Sequence, residues 1–471
     1  MIKELTYEDL NDQQKAAVDD AVRWFHSGNA RERPYILQGY AGTGKTTLIK
    51  ILIERLRIRY SEVALTAPTN RAAKVLANKT GLFTSTVHKL IYVTVSEEIN
   101  FQRERLRIWE ESLSFAQLGG ELLIQSGQDI REEYAQMCAE DGEPFDEEGF
   151  KVFKEGRTET ILKFEGIELP DDPGERQKMF DEIKKGKLKQ HKDAIIDLMK
   201  EDIPVMKKDP LDICLRYKLF LVDETSMVNE IQGRDVISFG VPTILIGDPF
   251  QLPPVKAKPY WHNMRADTVL TRIERQKGAG AGIPLAGEKL RKGEQISRNE
   301  SLTIHPKNSL GDDSWLTTDQ IICGTHKTRE RLCKFVRKRL GHLTDHPQVG
   351  EKVVAVFNDK QRGIMNGELY TVKESELMRS GTVCRMTIED PYGRVIEKVD
   401  AWTRGFAGRS ATDFLDDQYG KFWWGYAITC HQSQGSEWKN IIVCDDWPGD
   451  SHDRWLYTAI TRAALKCDLV S

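Results

Sequence analysis

The chain has 471 residues, of which 39% are hydrophobic and 30% are charged, and its formal net charge at pH 7 is −4. With a mean hydropathy of −0.49, this composition excludes a membrane-embedded, a collagen-like and a wholly disordered protein. The length suits about three domains. We expect a cytoplasmic protein without membrane contact, because no run of 18 apolar residues and no signal-peptide core occurs. The eight cysteines form no CxxC pair, so reduced thiols are expected.

A phosphate-binding motif lies near the N-terminus. Residues 35–38 predict a short apolar strand, GYAGTGKT follows at 39–46, and a helical pattern covers 47–56. This is GxxxxGK[ST] between a strand and a helix, in which backbone N–H groups and the helix N-terminus bind phosphate. We expect Lys45 to reach the β and γ phosphates of ATP and Thr46 to hold Mg²⁺. The nucleotide-binding residues predicted here are Gly39, Gly42, Thr43, Gly44, Lys45, Thr46 and Thr47.

A strongly acidic segment follows. Between residues 103 and 209 there are 27 Asp or Glu and 18 Lys or Arg, so this segment carries −9 and the remainder carries +5. Apolar residues recur in it at roughly helical spacing, and Gly and Pro interrupt the pattern. We predict a mainly helical insertion. A solvated, partly disordered acidic loop is the alternative.

Two further strand ends carry candidate catalytic groups. The buried strand pattern at 219–222 ends in Asp223-Glu224, which beside a P-loop predicts a Walker B pair. Asp223 would hold Mg²⁺ through water and Glu224 would polarise the attacking water. The strand at 244–246 leads to Gln251, at the sheet edge where α/β proteins present ligand groups. Gln251 is a candidate γ-phosphate contact, and a proline-rich turn without chemistry is the alternative.

Residues 350–372 predict two short alternating strands separated by a turn, with Asn366-Gly367 as a hairpin signal. We expect the aromatic residues Phe357 and Tyr370 to belong to a small β core. They are not assigned to a site.

Short motifs recur in a fixed order along the chain. They are LNDQQKAA at 10–17, APTNRAA at 67–73, TSTVH at 84–88, DE at 223–224, GDPFQ at 247–251, LTRIERQ at 270–276, GTHKTR at 324–329, AITCHQSQGSEW at 427–438 and LYTAITRA at 456–463. In this order they resemble the motifs of superfamily 1 helicases, specifically the 1B branch of RecD-like and Dda-like DNA helicases.

The resemblance implies an α/β fold with two RecA-like P-loop domains, each with a parallel sheet. The first would span 1–265 and be interrupted by an accessory insertion at 92–210. That insertion would comprise a pin and the acidic helical segment, with the partial strand alternation at 92–101 predicting a hairpin as the pin. The second domain would span 266–471 and be interrupted at about 345–420 by a small SH3-like β-barrel.

The resemblance also implies site residues. Gln14 would contact the adenine, Gly435 would border the nucleotide, and Arg275 and Arg462 would reach the γ phosphate from the second domain. The implied catalytic set is therefore Lys45, Asp223, Glu224, Gln251, Arg275 and Arg462. The implied DNA-binding residues are Pro68, Thr69, Asn70, Thr86, His88, Thr325, Thr429 and His431. For the Thr and Asn residues, ordinary helix capping is the alternative.

The function implied is an ATP-dependent DNA helicase that moves 5′ to 3′ in replication, recombination or repair. It would use ATP and Mg²⁺ and act on single-stranded and forked duplex DNA. An RNA helicase of the same superfamily and a nucleotide-dependent regulatory switch or loader are the alternatives. We further expect a monomer, a replication or recombination protein bound to the acidic insertion, and an association with the nucleoid or, for a viral protein, the host cytoplasm.

Overall fold

The computed structural model describes most of the chain. The described residues are 5–125, 130–141, 144–164, 166–200, 205–254, 257–260, 264–274, 281–359, 361–407 and 419–471. The first elements are α1 Asp12–Phe25, β1 Tyr35–Gly39, α2 Lys45–Leu56, β2 Val63–Ala67, α3 Asn70–Thr80, β3 Ser85–Thr86 and α4 Val87–Ile91. Next come β4 Tyr92–Thr94, α5 Val95–Glu111, α6 Phe115–Gln125, α7 Ile130–Asp141, α8 Glu147–Phe164, α9 Pro173–Lys200 and β5 Val205–Lys207.

The chain then returns to the first sheet and builds two more. The elements that follow are α10 Pro210–Arg216, β6 Leu219–Val222, α11 Glu230–Ile237, β7 Thr243–Gly247, β8 Thr268–Leu270, α12 Gly282–Arg291, β9 Leu302–His305, α13 Asp312–Thr317, β10 Gln320–Cys323 and α14 His326–Arg339. The last are β11 Lys352–Ala355, β12 Leu369–Leu377, β13 Val383–Glu389, β14 Val395–Trp402, β15 Phe422–Trp424, β16 Ala427–Thr429, α15 Cys430–Ser433, β17 Trp438–Cys444, α16 His452–Ile460 and β18 Ala463–Val470.

Two parallel sheets form the body of the molecule. The first has six strands in the order β3-β2-β6-β7-β1-β8, and the second has five in the order β16-β10-β17-β18-β9. Strands β6 and β7 are buried along their whole length, which suits their unbroken apolar sequences because central parallel strands are covered on both faces. The predicted α/β fold with two parallel sheets is confirmed. The domain boundaries remain a prediction.

A third, antiparallel sheet lies between β10 and β16 in the sequence. Its strand order is β14-β13-β12-β11-β15, and β11 pairs with β12 as the alternating pattern predicts. Tyr370 is buried, and Phe357 packs against the same core, so both have the core position expected of them. The SH3-like assignment of this sheet remains a prediction.

The acidic segment is mainly helical, as predicted. Helices α5, α6, α8 and α9 contribute to one apolar cluster, in which Trp109 stacks on Phe180 with ring centroids 6.1 Å apart. Leu215 of α10 packs against this cluster, so the insertion is joined to the first sheet region by apolar contact. Among the described helices, none is long and apolar enough to cross a bilayer.

The hairpin predicted at 92–101 is wrong. Only residues 92–94 form a strand, and β4 pairs antiparallel with β5 at the far end of the insertion. Helix α5 begins directly at Val95. The alternation was too short to specify a local partner, and the helical spacing of the following residues decides their conformation.

A buried ion pair fixes α14 to the antiparallel sheet. Nε of Arg337 donates to Oε1 of Glu351 at 2.6 Å and Nη2 donates to Oε2 at 3.2 Å. Glu351 is fully buried and also accepts from the backbone N–H of Gln348 and the hydroxyl of Tyr426. The Arg337 guanidinium lies 3.5 Å from the ring centre of Trp424. Both charges are therefore removed from water and satisfied by each other.

We expect Glu351→Ala to lower the free energy of unfolding by about 3–5 kcal/mol, because it leaves the Arg337 guanidinium buried without its partner. Urea denaturation followed by far-UV circular dichroism measures the change. The control is Asp400→Ala, which removes a more exposed partner of Arg385 and should cost no more than about 1 kcal/mol. Equal losses in the two variants would contradict the assignment.

Candidate active site and nucleic-acid face

The P-loop lies between β1 and α2. Gly44 has a φ of 82°, and a Cβ at this position would lie 2.6 Å from Nε2 of Gln14, so only glycine fits without strain. Nζ of Lys45 donates to the carbonyl oxygens of Gly39 at 2.7 Å and Tyr40 at 3.0 Å. The lysine is therefore held over the loop, where phosphate oxygens can replace these carbonyls as acceptors.

Gln14 supports the P-loop from the side that faces away from the cavity that Lys45 lines. Its Oε1 accepts from the backbone N–H of Asn11 at 3.1 Å, and its Nε2 donates to the carbonyl of Thr43 at 3.1 Å. Gln14 and Thr43 are both buried. Both ends of the Gln14 side chain are thus engaged with the protein, and its contact with adenine remains a prediction.

Asp223 and Glu224 follow the carboxyl end of β6. Oδ2 of Asp223 accepts from the hydroxyl of Thr46 at 3.3 Å, and Oδ1 accepts from the backbone N–H of Glu224 at 2.8 Å. Burial, and next the charge of Glu224, raises the pKa of Asp223 to about 6. A divalent cation favours the ionised carboxylate, so the pair of Thr46 and Asp223 fits the predicted Mg²⁺ site. The left-handed backbone of Glu224, with a φ of 51°, is the kind of local strain found at active sites.

Gln251 brings an unsatisfied amide to the same region. It is 3% exposed, and its Oε1 has no hydrogen-bond partner among the described residues. A buried side-chain amide left in this way points to an additional partner such as a ligand or a water molecule. Gln251 thus remains available for the nucleotide or for the attacking water.

One cavity of about 800 Å³ collects most of the predicted residues. Lys45 lines it from the first sheet region and Arg462 lines it from the second. The predicted residues along its wall are Gly42, Gly44, Lys45, Thr46, Thr47, Asp223, Glu224, Gln251, Gly435 and Arg462. Gly39, Thr43 and Gln14 stand behind the loop rather than on this wall.

Arg462 follows α16 and is 5% exposed. Its Nε donates to the carbonyl of Thr458 at 3.0 Å, and its Nη1 donates to the carbonyl of Ser436 at 3.4 Å. These bonds hold the guanidinium at the cavity wall, and its contact with the γ phosphate remains a prediction. Arg275, the other predicted cross-domain arginine, lies outside the described residues. The preceding Glu274 donates its backbone N–H to the carbonyl of Gly42 at 2.9 Å, so this segment runs along the P-loop.

Gly435 joins the cavity to α3. It has a φ of 76°, and a Cβ there would lie 2.8 Å from Cβ of Ala72 in α3. The backbone next to the nucleotide cavity thus touches the helix that begins at Thr69 and Asn70. A side chain at position 435 would separate the two.

Sequence reasoning did not find the role of Tyr457. Its hydroxyl accepts from the backbone N–H of Ala41 in the P-loop at 3.0 Å and donates to Oδ2 of Asp248 at 2.6 Å. Tyr457 lies on α16 of the second region, whereas both partners belong to the first, and burial raises its pKa well above the ordinary value. The hydroxyl therefore bridges the two regions at the P-loop. The signal in the sequence that could have indicated this contact is the position of Tyr457 within the motif LYTAITRA at 456–463.

Threonines cap the helices at the predicted nucleic-acid face. The N-caps are Thr69 for α3, Thr86 for α4, Thr325 for α14 and Thr429 for α15. The capping alternative therefore holds for all four, and their DNA contacts remain a prediction. The hydroxyl of Thr325 is also donated to Oδ2 of Asp446 at 2.9 Å, so this residue has no hydroxyl proton left for a phosphate.

These caps lie in pairs on neighbouring strands. Ala67 at the end of β2 is paired with Thr86 of β3, and Cys323 at the end of β10 is paired with Thr429 of β16. Each parallel sheet thus presents two helix N-termini side by side at its carboxyl edge. Such N-termini attract phosphate.

The predicted histidines differ in environment. His88 is exposed, and its ring lies 4.8 Å from that of Tyr92. The ring of His431 lies 5.6 Å from that of Trp447, and burial, assisted by the nearby His326, lowers the pKa of His431. At neutral pH His431 is therefore an uncharged hydrogen-bonding group. Pro68 is partly exposed beside Thr69.

Helix α3 is held by the other parts of the molecule. Lys74 forms ion pairs with Glu368 and with Asp390, the latter at 2.7 Å. Nη1 of Arg71 donates to the carbonyl oxygens of Gly367 and Gln432 at 3.3 Å each, and burial lowers the pKa of Arg71 to about 10.

The side chain of Asn70 adds a third contact to α3, because its Nδ2 donates to Oδ1 of Asn358 at 3.0 Å. Residues next to the strands of the antiparallel sheet, together with the loop before Gly435, thus hold α3, the helix that carries the predicted DNA-binding motif APTNRAA.

Comparison with known proteins agrees with this geometry. The profile of an AAA domain matches residues 25–257, and that of a UvrD-like helicase C-terminal domain matches residues 425–470. Together the two profiles cover more than half of the chain. The chain is 32% identical over 106 residues to the ATP-dependent DNA helicase dda of Enterobacteria phage T4, a match that spans 22% of this chain and 24% of that protein's length.

Two solved structures share the fold. The Pif1 helicase from Bacteroides in complex with ADP-AlF3 and ssDNA is 17% identical, with 98% of this chain and 92% of that chain covered at a TM-score of 0.50. The Bacteroides Pif1 bound to ssDNA is 18% identical, with the same coverage and TM-score. At this identity the likeness concerns the fold. The two profiles thus identify an AAA domain in the N-terminal half of the chain and a UvrD-like helicase C-terminal domain at its end, in the order that the motif resemblance implies.

Proposed function

We propose that the protein is an ATP-dependent DNA helicase that couples ATP hydrolysis to 5′ to 3′ movement on single-stranded DNA and to duplex unwinding. The observation that carries this proposal is the shared cavity, lined by Lys45 from one parallel-sheet region and Arg462 from the other. A nucleotide in this cavity would touch both regions. The presence or loss of its γ phosphate would then control whether the two sheet regions stay in the closed arrangement.

The residues of the cavity divide the chemistry among them. Lys45 and the P-loop amides bind the phosphates, Thr46 and Asp223 would hold Mg²⁺, and Mg²⁺ when bound supplies positive charge to the phosphate oxygens. Glu224 orients and polarises the attacking water. Gln251 hydrogen-bonds the γ phosphate or that water, and Arg462 stabilises the charge that develops in the transition state.

Hydrolysis is coupled to movement through contacts that cross the cleft. Tyr457 links α16 to the P-loop and to Asp248, and Gly435 lies against Ala72 of α3. A change in the cleft therefore reaches the helix that starts at Thr69. Alternate grip by α3 and α4 on one side and α14 and α15 on the other would advance a nucleic-acid strand.

The proposed substrates are single-stranded DNA and a forked duplex, in replication, recombination or repair, and the proposed active form is a monomer. Bacteroides Pif1, which shares the fold, has been solved with single-stranded DNA bound, and this supports the choice. Polarity follows the 1B branch. The acidic insertion, with its own apolar core, is proposed to bind a replication or recombination protein.

An unwinding assay tests the function. With ATP and Mg²⁺ the protein should separate a duplex that carries a 5′ single-stranded tail and leave one with a 3′ tail intact. Lys45→Ala, which removes the phosphate-binding ammonium, is the inactive control. Strand separation with neither tail would favour a nucleotide-dependent switch, and stronger ATPase stimulation by RNA than by DNA would favour an RNA helicase.

We expect Arg462→Ala to lower the rate of ATP hydrolysis by about 10³-fold or more, because removal of an arginine finger has this effect in related phosphoryl transfers. Binding of ADP should change little. Single-turnover hydrolysis and titration with a fluorescent ADP measure the two quantities. Arg454→Ala on α16, the helix that precedes Arg462, removes an arginine outside the wall of this cavity and should retain the rate. A rate within tenfold of wild type for Arg462→Ala would remove this residue from the site.

We expect Tyr457→Phe to lower the nucleic-acid-stimulated ATPase rate by about tenfold, because it leaves the Ala41 amide and Asp248 without their shared partner while keeping the ring. The unstimulated rate should fall less, since the lost contact joins the two regions. Tyr426→Phe, which removes a buried hydroxyl bonded to Glu351, is the matched control. Equal stimulation in wild type and Tyr457→Phe would contradict a coupling role.

A further inference from the structure

Helix α14 carries a row of basic side chains on its outer face. Its 14 residues include seven Lys or Arg and one Glu. Lys327, Arg331, Lys334 and Lys338 are exposed and are separated by four, three and four positions. At 3.6 residues per turn they fall within an arc of about 60°. We call these four residues the α14 stripe.

The opposite face of α14 is fixed in the core, so the stripe is held outward. The buried residues of the helix are Arg329, Leu332, Cys333, Val336 and Arg337. The guanidinium of Arg329 lies 3.9 Å from the ring centre of Trp423, and Arg337 forms the buried pair with Glu351. Rotation of the helix would break these contacts.

No member of the stripe forms a direct ion pair with any residue that the structure describes, although Glu330 lies one turn from Lys327 and one turn from Lys334 on the same helix. By contrast, the adjacent Arg339 pairs with Asp312 and Arg329 pairs with Glu330. Like charges one turn apart destabilise a helix. Retaining four of them in a chain of net charge −4 therefore indicates a polyanionic ligand.

The position of α14 favours nucleic acid as this ligand. The helix begins at the carboxyl edge of the second sheet, beside α15, where His326 and His431 lie near each other. From this edge the stripe extends for about 16 Å along the flank of the molecule. It is a linear continuation of the predicted nucleic-acid face.

We propose that the α14 stripe binds the phosphate backbone of the nucleic-acid strand as it passes beyond the cleft on the second-sheet side. The proposal rests on the proposed function, because it extends the path of the same substrate. A row of regularly spaced cations suits successive phosphates. An acidic protein is a poorer fit, since protein interfaces are centred on large apolar residues, none of the exposed residues from Lys327 to Lys338 is of this kind, and the exposed Leu340 and Leu343 lie beyond the end of the stripe.

The experiment compares two double variants of the full-length protein. Lys334→Gln with Lys338→Gln neutralises half of the stripe. Lys185→Gln with Lys189→Gln neutralises two exposed lysines with the same spacing on α9 and is the control. Binding of fluorescent single-stranded DNA without nucleotide is measured from 50 to 200 mM salt, with a short oligonucleotide that fills the cleft and a longer one that extends past it.

For the longer strand, the stripe variant should bind more weakly, and the slope of log affinity against log salt should fall by about 1.4. The ratio of wild-type to variant affinity should then shrink about sevenfold over this salt range. The short strand and the α9 variant should behave as wild type does.

Three results separate the possible failures. If wild type unwinds the 5′-tailed duplex but the stripe and α9 variants bind the long strand equally, the stripe proposal is wrong and the proposed function stands. If wild type binds no nucleic acid, both are wrong. If polyglutamate competes for wild type but not for the stripe variant, while both bind the long strand alike, the stripe is a protein-binding surface and the proposal is overturned.

Discussion

The rest of the structure depends on one constraint: the nucleotide cavity is complete only when two separate parallel sheets face each other. Lys45, Asp223 and Glu224 come from the first region, and Arg462 comes from the second. Neither region has both the phosphate-binding loop and the cross-domain arginine. In the proposed mechanism the arginine would act only when the cleft is closed, which would link ATP hydrolysis to the relative position of the two regions.

Hydrogen bonds and backbone contacts connect the nucleotide cavity to the helices around it. The hydroxyl of Tyr457 joins the P-loop amide of Ala41 to Asp248, and Gly435 touches α3 at Ala72. Helix α3 is in turn held by ion pairs from Lys74 to the antiparallel sheet. A shift at the cavity therefore meets a connected set of packed elements, which is the kind of arrangement that converts small local changes into rigid-body movement.

Charge is organised locally rather than globally. The insertion concentrates negative charge on helices that surround an apolar core, whereas the outer face of α14 concentrates positive charge. The net charge of −4 is the sum over the whole chain, and it predicts neither the negative insertion nor the positive face of α14. Affinity for a polyanion depends on the charges that lie within about a Debye length of it, roughly 8–10 Å at ordinary salt.

The sequence by itself determined the P-loop, the Asp-Glu pair after β6, the α/β class and the helical insertion, since these depend on motif spacing and on local periodicity. It also pointed to capping by Thr69, Thr86, Thr325 and Thr429 as an alternative to DNA contact. Only the tertiary structure decided that β4 pairs with β5 across the whole insertion and that Tyr457 reaches Ala41. It likewise decided which face of α14 is buried. These features depend on contacts between residues far apart in the chain, where packing rather than local sequence preference sets the partner.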